Sequence, residues 1–338
     1  LTARPILILA AMLGLLAGCG APSQLGESDR QRIAGRTFVI TGASSGFGRG
    51  VALKLAGYGG QVVLAARRAA VLEEVAEQAR AAGGQALVVP TDVAMPEQVA
   101  ALADAARGRF GRIDVWINNA GIGALGRFEE IPIEDHARVV DVNLKGVIYG
   151  SHAALQQFRR QGYGTLVNLG SVESRVPLPY HASYSATKHA IAGLDGALTQ
   201  ELRLSGAERI KVVTIMPWAV DTPYWEHTAN YTGHTPRMVL MDDAQKAVDA
   251  IVWAAIHPSK EVTVGWKAEV SVLGDQFLPG LTERFSADIL HRAQMEAAPP
   301  APPTPGALHQ PMPGGTGVEG GVRARMEQED RARESGAR

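Results

Sequence analysis

Thr37-Phe-Val-Ile-Thr-Gly-Ala-Ser-Ser-Gly-Phe-Gly48 joins a short β-branched run to a glycine-rich turn. The run reads as a buried strand and the residues after Gly46 as the start of a helix, so the glycines fall where a strand hands over to a helix. Gly42 permits a tight turn, while Gly46 and Gly48 let the backbone approach a phosphate and pack the helix against the sheet. Amides at the helix N-terminus, with its partial positive charge, then bind a pyrophosphate. Ser44, Ser45 and Phe47 belong to the same candidate loop. No Gly-Lys-Ser/Thr follows, which disfavours a phosphate-transfer loop.

Downstream, short apolar runs alternate with longer helical patterns. Gln61–Ala65, Ala86–Pro90, Ile113–Ile117, Thr165–Leu169 and Lys211–Ile215 read as further buried strands, with Glu261–Val264 as a seventh. Ala70–Ala82 and Glu97–Arg107 carry helical spacing between them. This alternation predicts right-handed crossovers and an α/β fold: one doubly wound, seven-stranded, mainly parallel sheet with helices on both faces.

The chain has 338 residues, with 33 basic and 34 acidic side chains and 46% apolar residues. That suffices for one sizeable core. The near-zero net charge gives no electrostatic footprint for nucleic acid. A single cysteine, Cys19, excludes an intramolecular disulfide framework and any cysteine-based zinc site. The nine histidines show no paired metal spacing, and no metal is expected.

Both ends depart from the pattern of the middle. Arg4 precedes an apolar run from Ile6 to Ala17, then Leu16-Ala17-Gly18-Cys19, so residues 1–19 resemble a bacterial lipoprotein signal in which Cys19 becomes lipidated. The run is short for a membrane span; the competing reading is translation from Met12. Residues 20–34 then read as a polar tether and 35–296 as the catalytic domain. Residues 297–338, rich in proline and glycine and then in mixed charge, read as a disordered tail that buries too little apolar surface to offset its ordering entropy.

Two further features fix the resemblance. Ser171 lies upstream of Tyr184-Ser-Ala-Thr-Lys188, and Asn118-Asn-Ala-Gly121 and Asn143 lie between it and the glycine turn. Together with Thr41-Gly-x-x-x-Gly-x-Gly48 these motifs resemble the short-chain dehydrogenase/reductase family, over roughly Gly35 to Gly265, and its compact oxidoreductase branch. The resemblance implies a Rossmann-type domain, a nicotinamide dinucleotide, a small-molecule substrate and a homo-oligomer.

After the second strand an acid would accept from a ribose 2′-hydroxyl, whereas a base would pair with a 2′-phosphate. This chain has Ala65-Ala-Arg-Arg68, with Ala66 where related NAD-using enzymes often carry Asp. Arg67 therefore predicts NADP(H), a guanidinium being suited to phosphate; the alternative is a solvated charge at a helix start. Asp92 and Val93 match the family position at the adenine, though Asp92 is equally suited to cap the helix after Met95-Pro-Glu. Asn119, Ala120 and Gly121, with Pro217, Val220 and Thr222, match family cofactor contacts.

Hydride transfer to a carbonyl leaves charge on oxygen, so a proton donor is needed. Four-residue spacing puts Tyr184 and Lys188 on one helix face, and a nearby ammonium would lower the tyrosine pKa. Tyr184 is the expected acid/base, and by resemblance Lys188 also holds the nicotinamide ribose. Ser171 would polarise the carbonyl, with Ser174 as the alternative. Asn143 matches the position whose neighbourhood relays protons to the lysine.

One departure stands out. The family usually has Pro-Gly after the sixth strand; this chain has Pro217-Trp218. Trp218, Tyr224, Trp225, His227, Tyr231 and His234 then form an aromatic stretch that reads either as a lid over an apolar or aromatic carbonyl substrate or as ordinary packing or a subunit contact. The expected activity is NADP(H)-dependent interconversion of a carbonyl and an alcohol. The other readings are a non-catalytic NADP(H) sensor, which needs no proton donor, and a sugar-nucleotide epimerase, which calls for a longer glycine pattern. Location stays divided between a membrane anchored through Cys19 and the cytoplasm.

Overall fold

The computed structural model describes residues 25–336. The candidate signal segment and Cys19 lie outside the described residues. The expected sheet is present: seven parallel strands in the order β3-β2-β1-β4-β6-β7-β9. They are β1 (Thr37–Thr41), β2 (Gln61–Ala66), β3 (Gln85–Pro90), β4 (Val115–Asn118), β6 (Gly164–Leu169), β7 (Ile210–Pro217) and β9 (Glu261–Val264). A separate two-stranded pair, β5 (Ala124–Leu125) with β8 (Ala229–Asn230), was not legible in so short a run. Strands covered on both faces need continuous apolar sequence rather than alternation, which is why β1 and β4 are buried at every position.

The sheet divides the core in two. On one face α2 (Gly46–Ala56), α3 (Ala69–Ala81) and α9 (Ala244–Ile256) pack Leu55, Leu72 and Ile251 against Phe38 and Leu64. On the other, α4 (Pro96–Phe110), α6 (Gly146–Gln161) and α7 (Ala182–Leu204) pack Leu102, Phe158 and Leu202 against Val63 and Trp116. Helix ends follow local chemistry. Pro96 opens α4, where a missing N–H costs nothing, and Gly111 ends it in the left-handed region at φ 75°. The strand order reverses between β1 and β4, and the crevice outside the strand C-termini there is where this architecture places ligands.

Two boundaries expected from sequence are corrected. The polar tether of residues 20–34 includes a helix, α1 (Glu27–Ile33), whose Ile33 is fully buried and whose Asp29 Oδ1 lies 2.8 Å from His257 Nε2. The folded unit therefore starts before Gly35.

The larger correction concerns residues 297–338, expected to be disordered. Past α10 (Trp266–Phe277), α11 (Pro279–His291) and a π-helical turn, the chain returns as an extended strap and ends in α12 (Val322–Gly336). Thr304 pairs with Asn230 in an antiparallel bridge, with bonds of 2.8 and 3.0 Å, and Leu308 is fully buried. Arg237, itself 3% exposed, ties α12 down through Asp330 Oδ1 at 2.7 Å and Met326 O at 3.0 Å. Composition misleads here because the strap docks mainly through backbone carbonyls that accept from arginines of the domain. Its prolines also restrict the unfolded chain, which lowers the entropy of ordering.

Candidate active site

The glycine turn has the geometry its sequence demands. Gly42 and Gly46 take φ +68° and +54°, a region that disfavours side chains. A Cβ at Gly48 would run into Gly42 O, and one at Gly42 would sit 2.8 Å from Asn119 Nδ2. Thr41 Oγ1 accepts from Asn119 N and Ala120 N at 3.0 and 3.1 Å, tying the ends of β1 and β4 into one rim. The result is a close-approach cradle ahead of α2, opening into a cleft that runs along the C-terminal edge of the sheet. Without a Cβ at Gly42 and Gly48 the turn packs directly on Asn119 and Ala120, and the first-turn amides of α2 that it presents to the cleft suit a pyrophosphate.

The structure brings nearly all of the sequence-predicted cofactor positions onto this cleft. Ser44, Ser45, Phe47, Arg67, Asp92 and Val93 flank one end. Ala120, Gly121, Pro217, Val220 and Thr222 line its course. Asn119 also borders it, but its side chain is spent on the rim, donating to Thr41 O at 2.9 Å. Asp92 borders the cleft but does not cap α4, whose N-cap is Met95: its Oδ1 accepts from Ala94 N at 3.0 Å, ahead of the helix, and its Oδ2 pairs with Arg138 Nη2 at 2.6 Å. Arg68, not singled out from sequence, reaches Ser45 Oγ at 2.9 Å and Ser44 Oγ at 3.1 Å.

At the other end lie Ser171, Tyr184 and Lys188. Ser171 follows β6, takes extended backbone, and its Oγ accepts from Glu173 N at 3.2 Å. Ser174 is turned inward, its Oγ accepting from Ser171 N at 3.2 Å, so it supports Ser171 rather than replacing it. Tyr184 and Lys188 share one face of α7, with Lys188 Nζ 5.3 Å from the tyrosine ring centre and 2.5 Å from Leu169 O. The Tyr184 and Tyr224 rings lie 5.8 Å apart, centre to centre, and both border the cleft with Ser171.

The electrostatics differ from the sequence expectation that Lys188 would lower the Tyr184 pKa. Burial pushes the Tyr184 phenol well up, the nearby Glu173 carboxylate pushes it further, and the neighbouring Ser171 and Tyr224 hydroxyls offset only part of this. Lys188 is brought down to about 8 by burial, with Glu173 opposing the fall. Glu173 was missed from sequence. It is buried, lies 3.0 Å from His181 Nδ1 and accepts from Ser185 Oγ. No feature of the sequence around it marks Glu173; its burial appears only in the fold.

Asn143 sits in a π-helical turn, Asp141–Lys145, and its side-chain amide pins both backbone polar groups of Ile122 at 2.9 Å. Turns of this kind recur at functional sites. The aromatic stretch divides. Trp218, Tyr224, Trp225 and His227 border the cleft, whereas Tyr231 bonds Asp135 and His234 closes a local turn. Trp225 is 5% exposed and donates to Val220 O at 3.0 Å. Trp218 donates to Val239 O at 3.3 Å and packs beside the cluster of Leu178, Met238 and Met241, so its bulk leans away from the strand end where the family keeps glycine.

Comparison with known proteins decides the family. A family model described as short chain dehydrogenase matches residues 36–231. The chain belongs to the short-chain dehydrogenase/reductase family. Within this family of oxidoreductases it is 32% identical over 282 residues to the uncharacterized oxidoreductase YxnA of Bacillus subtilis, covering 82% of this chain and 79% of that protein. It is 40% identical over 196 residues to 3beta-hydroxysteroid dehydrogenase 1 of Eggerthella lenta, covering 56% of this chain and 73% of that one. Among solved structures, a short chain dehydrogenase/reductase from Burkholderia phymatum in complex with NAD superposes with TM-score 0.65 at 28% identity, covering 76% of this chain and 97% of the other. An alcohol dehydrogenase from Thermococcus sibiricus complexed with 5-hydroxy-NADP gives TM-score 0.59 at 28% identity, covering 68% and 95%. Both of these solved structures are complexes with a nicotinamide dinucleotide or a derivative of one.

Proposed function

We propose that the protein is an NADP(H)-dependent oxidoreductase that interconverts an apolar or aromatic carbonyl compound and its alcohol, with Tyr184 as the acid/base. One observation carries this reading: Tyr184, half-buried and one helical turn from a buried Lys188, lines the same cleft as Ser171 and the glycine turn. A non-catalytic sensor needs none of these three groups. Bound reduced nicotinamide supplies the hydride. Ser171 holds and polarises the carbonyl oxygen, and Tyr184 gives that oxygen its proton. The raised pKa keeps the phenol protonated at neutral pH, the form required for reduction. Lys188, mostly cationic below about pH 8, stabilises the phenolate left behind and binds the nicotinamide ribose. Asn143 is a positioning residue, fixing the backbone beside the nicotinamide end.

Preference for NADP(H) rests on Arg67 and Arg68 at the end of β2, with no acid there to take a ribose 2′-hydroxyl. Leu178, Trp218, Tyr224 and Met238 support an apolar substrate. The family's habits support a homo-oligomer. The Leu16-Ala17-Gly18-Cys19 pattern supports a lipid anchor at Cys19, although none of the described helices is long and apolar enough to cross a membrane. Radiolabelled palmitate, incorporated by wild type and lost in Cys19→Ala, tests the anchor. The cofactor reading is tested by kcat/KM for NADPH and NADH with one carbonyl substrate; a preference for NADH would remove it.

A further inference from the structure

The segment between α11 and α12 does more than return the chain to the surface. It is fixed at its start by Ala307 N donating to His227 O at 2.7 Å and by the buried Leu308 side chain. It then crosses the phosphate side of the cleft, held through its carbonyls. Arg67 Nη2 donates to Ala307 O at 2.5 Å, Arg68 Nη1 to Gly314 O at 2.8 Å, Arg49 Nη1 to Thr316 O at 2.9 Å, and Gly46 N to Gly317 O at 2.8 Å. At its end Asp221 accepts from Val322 N at 2.8 Å. Glycines sit where the strap touches backbone: a Cβ at Gly306 would run into His227 O, and one at Gly320 into Thr222 O.

We propose that residues 306–320 complete the dinucleotide site in cis, as a strap that closes over the bound cofactor and must undock before the cofactor leaves. The inference rests on the dinucleotide reading of the cleft. The cleft stays open beneath the strap, continuous from Asp92 and Val93 to Tyr184 and Met238, with Ala307, Pro311 and Met312 as part of its wall. A segment that competed with the cofactor would fill that space, whereas these three residues form part of its wall. The strap does take the Gly46 amide for itself, which leaves phosphate contact to the amides of the following residues in the first turn of α2. Such binding is reciprocal: a strap that holds the dinucleotide is held by it to the same extent.

The test uses the full chain. Hydrogen exchange of amides 306–320 is measured with and without saturating NADPH, and NADPH dissociation is followed by stopped-flow fluorescence in wild type and Gly306→Val. The account expects exchange in the strap to slow about tenfold with NADPH, and dissociation to quicken about tenfold in the variant, within the usual range of coupling between sites. Unchanged strap exchange overturns the proposal, and faster exchange does so by showing competition. If Gly306→Val does not fold, wild-type exchange alone decides. NADH is run in parallel. Tighter binding of NADH with the strap still protected refutes the NADP(H) preference and leaves the strap intact. Failure to bind either dinucleotide removes both.

Discussion

Asp221 caps the helix that begins at Val322, 101 residues away: its Oδ1 accepts from Val322 N at 2.8 Å and its Oδ2 from Arg323 N at 3.1 Å. Asp221 lies between Val220 and Thr222, two residues on the cleft wall, so the last helix is fastened to the cofactor side of the domain. Asp221→Ala leaves the buried Val322 amide and the half-buried Arg323 amide unpaired. It is expected to lower stability by about 1–3 kcal/mol in urea unfolding, with faster hydrogen exchange across 322–336. No loss of stability would mean that α12 is not part of the cooperative unit.

Arg67 and Arg68 carry the cofactor preference in this account. Arg67→Ala is expected to lower the ratio of kcat/KM for NADPH to that for NADH by about tenfold, the loss of one charge-assisted phosphate contact. Because Arg67 also grips Ala307 O, both cofactors should bind more weakly, NADPH the more so. An unchanged ratio would show that Arg67 serves the strap alone.

The buried lysine sets an alkaline limb. Lys188 loses its charge as pH rises through about 8, so kcat/KM for NADPH, which reports the free enzyme, should fall above that pH. The Tyr184 proton, held more tightly, adds nothing in this range. Around these groups stand Glu173, His181 and Tyr224. Glu173 is the one that supports the lysine's charge, so Glu173→Gln should move the limb to lower pH. A limb that stays in place would detach Glu173 from the site.

Two tryptophans on the cleft should behave differently. Trp225 is buried and its indole N–H is bonded, so Trp225→Ala should cost about 3–5 kcal/mol of stability. Trp218 is only half-buried and sits where the family carries glycine; Trp218→Ala should leave stability nearly unchanged and shift selectivity toward bulkier carbonyls. Thermal unfolding and a substrate series distinguish the two.

The seven strands were legible because parallel strands covered on both faces are written as continuous apolar runs, and the order of glycine turn, serine and Tyr184/Lys188 located both ends of the cleft. Residues whose roles depend on partners distant in sequence were not legible. Glu173 looks like any acid until His181 and Ser185 close on it. The strap looks disordered because its attachments, such as Gly317 O to Gly46 N, use backbone groups that composition does not register. Gly306 and Gly320, now seen pressed against backbone, read as flexible linker residues in isolation.

The central claim is that Tyr184 delivers a proton to a carbonyl reduced within this cleft. Oxidation of NADPH by the full chain over a panel of aliphatic and aromatic ketones and aldehydes, beside Tyr184→Phe, tests it most directly. The account predicts turnover of apolar carbonyls in wild type, and a loss of about 10²–10⁴-fold in the variant, the usual worth of a positioned acid, with NADPH still bound. Equal turnover in wild type and Tyr184→Phe would contradict it.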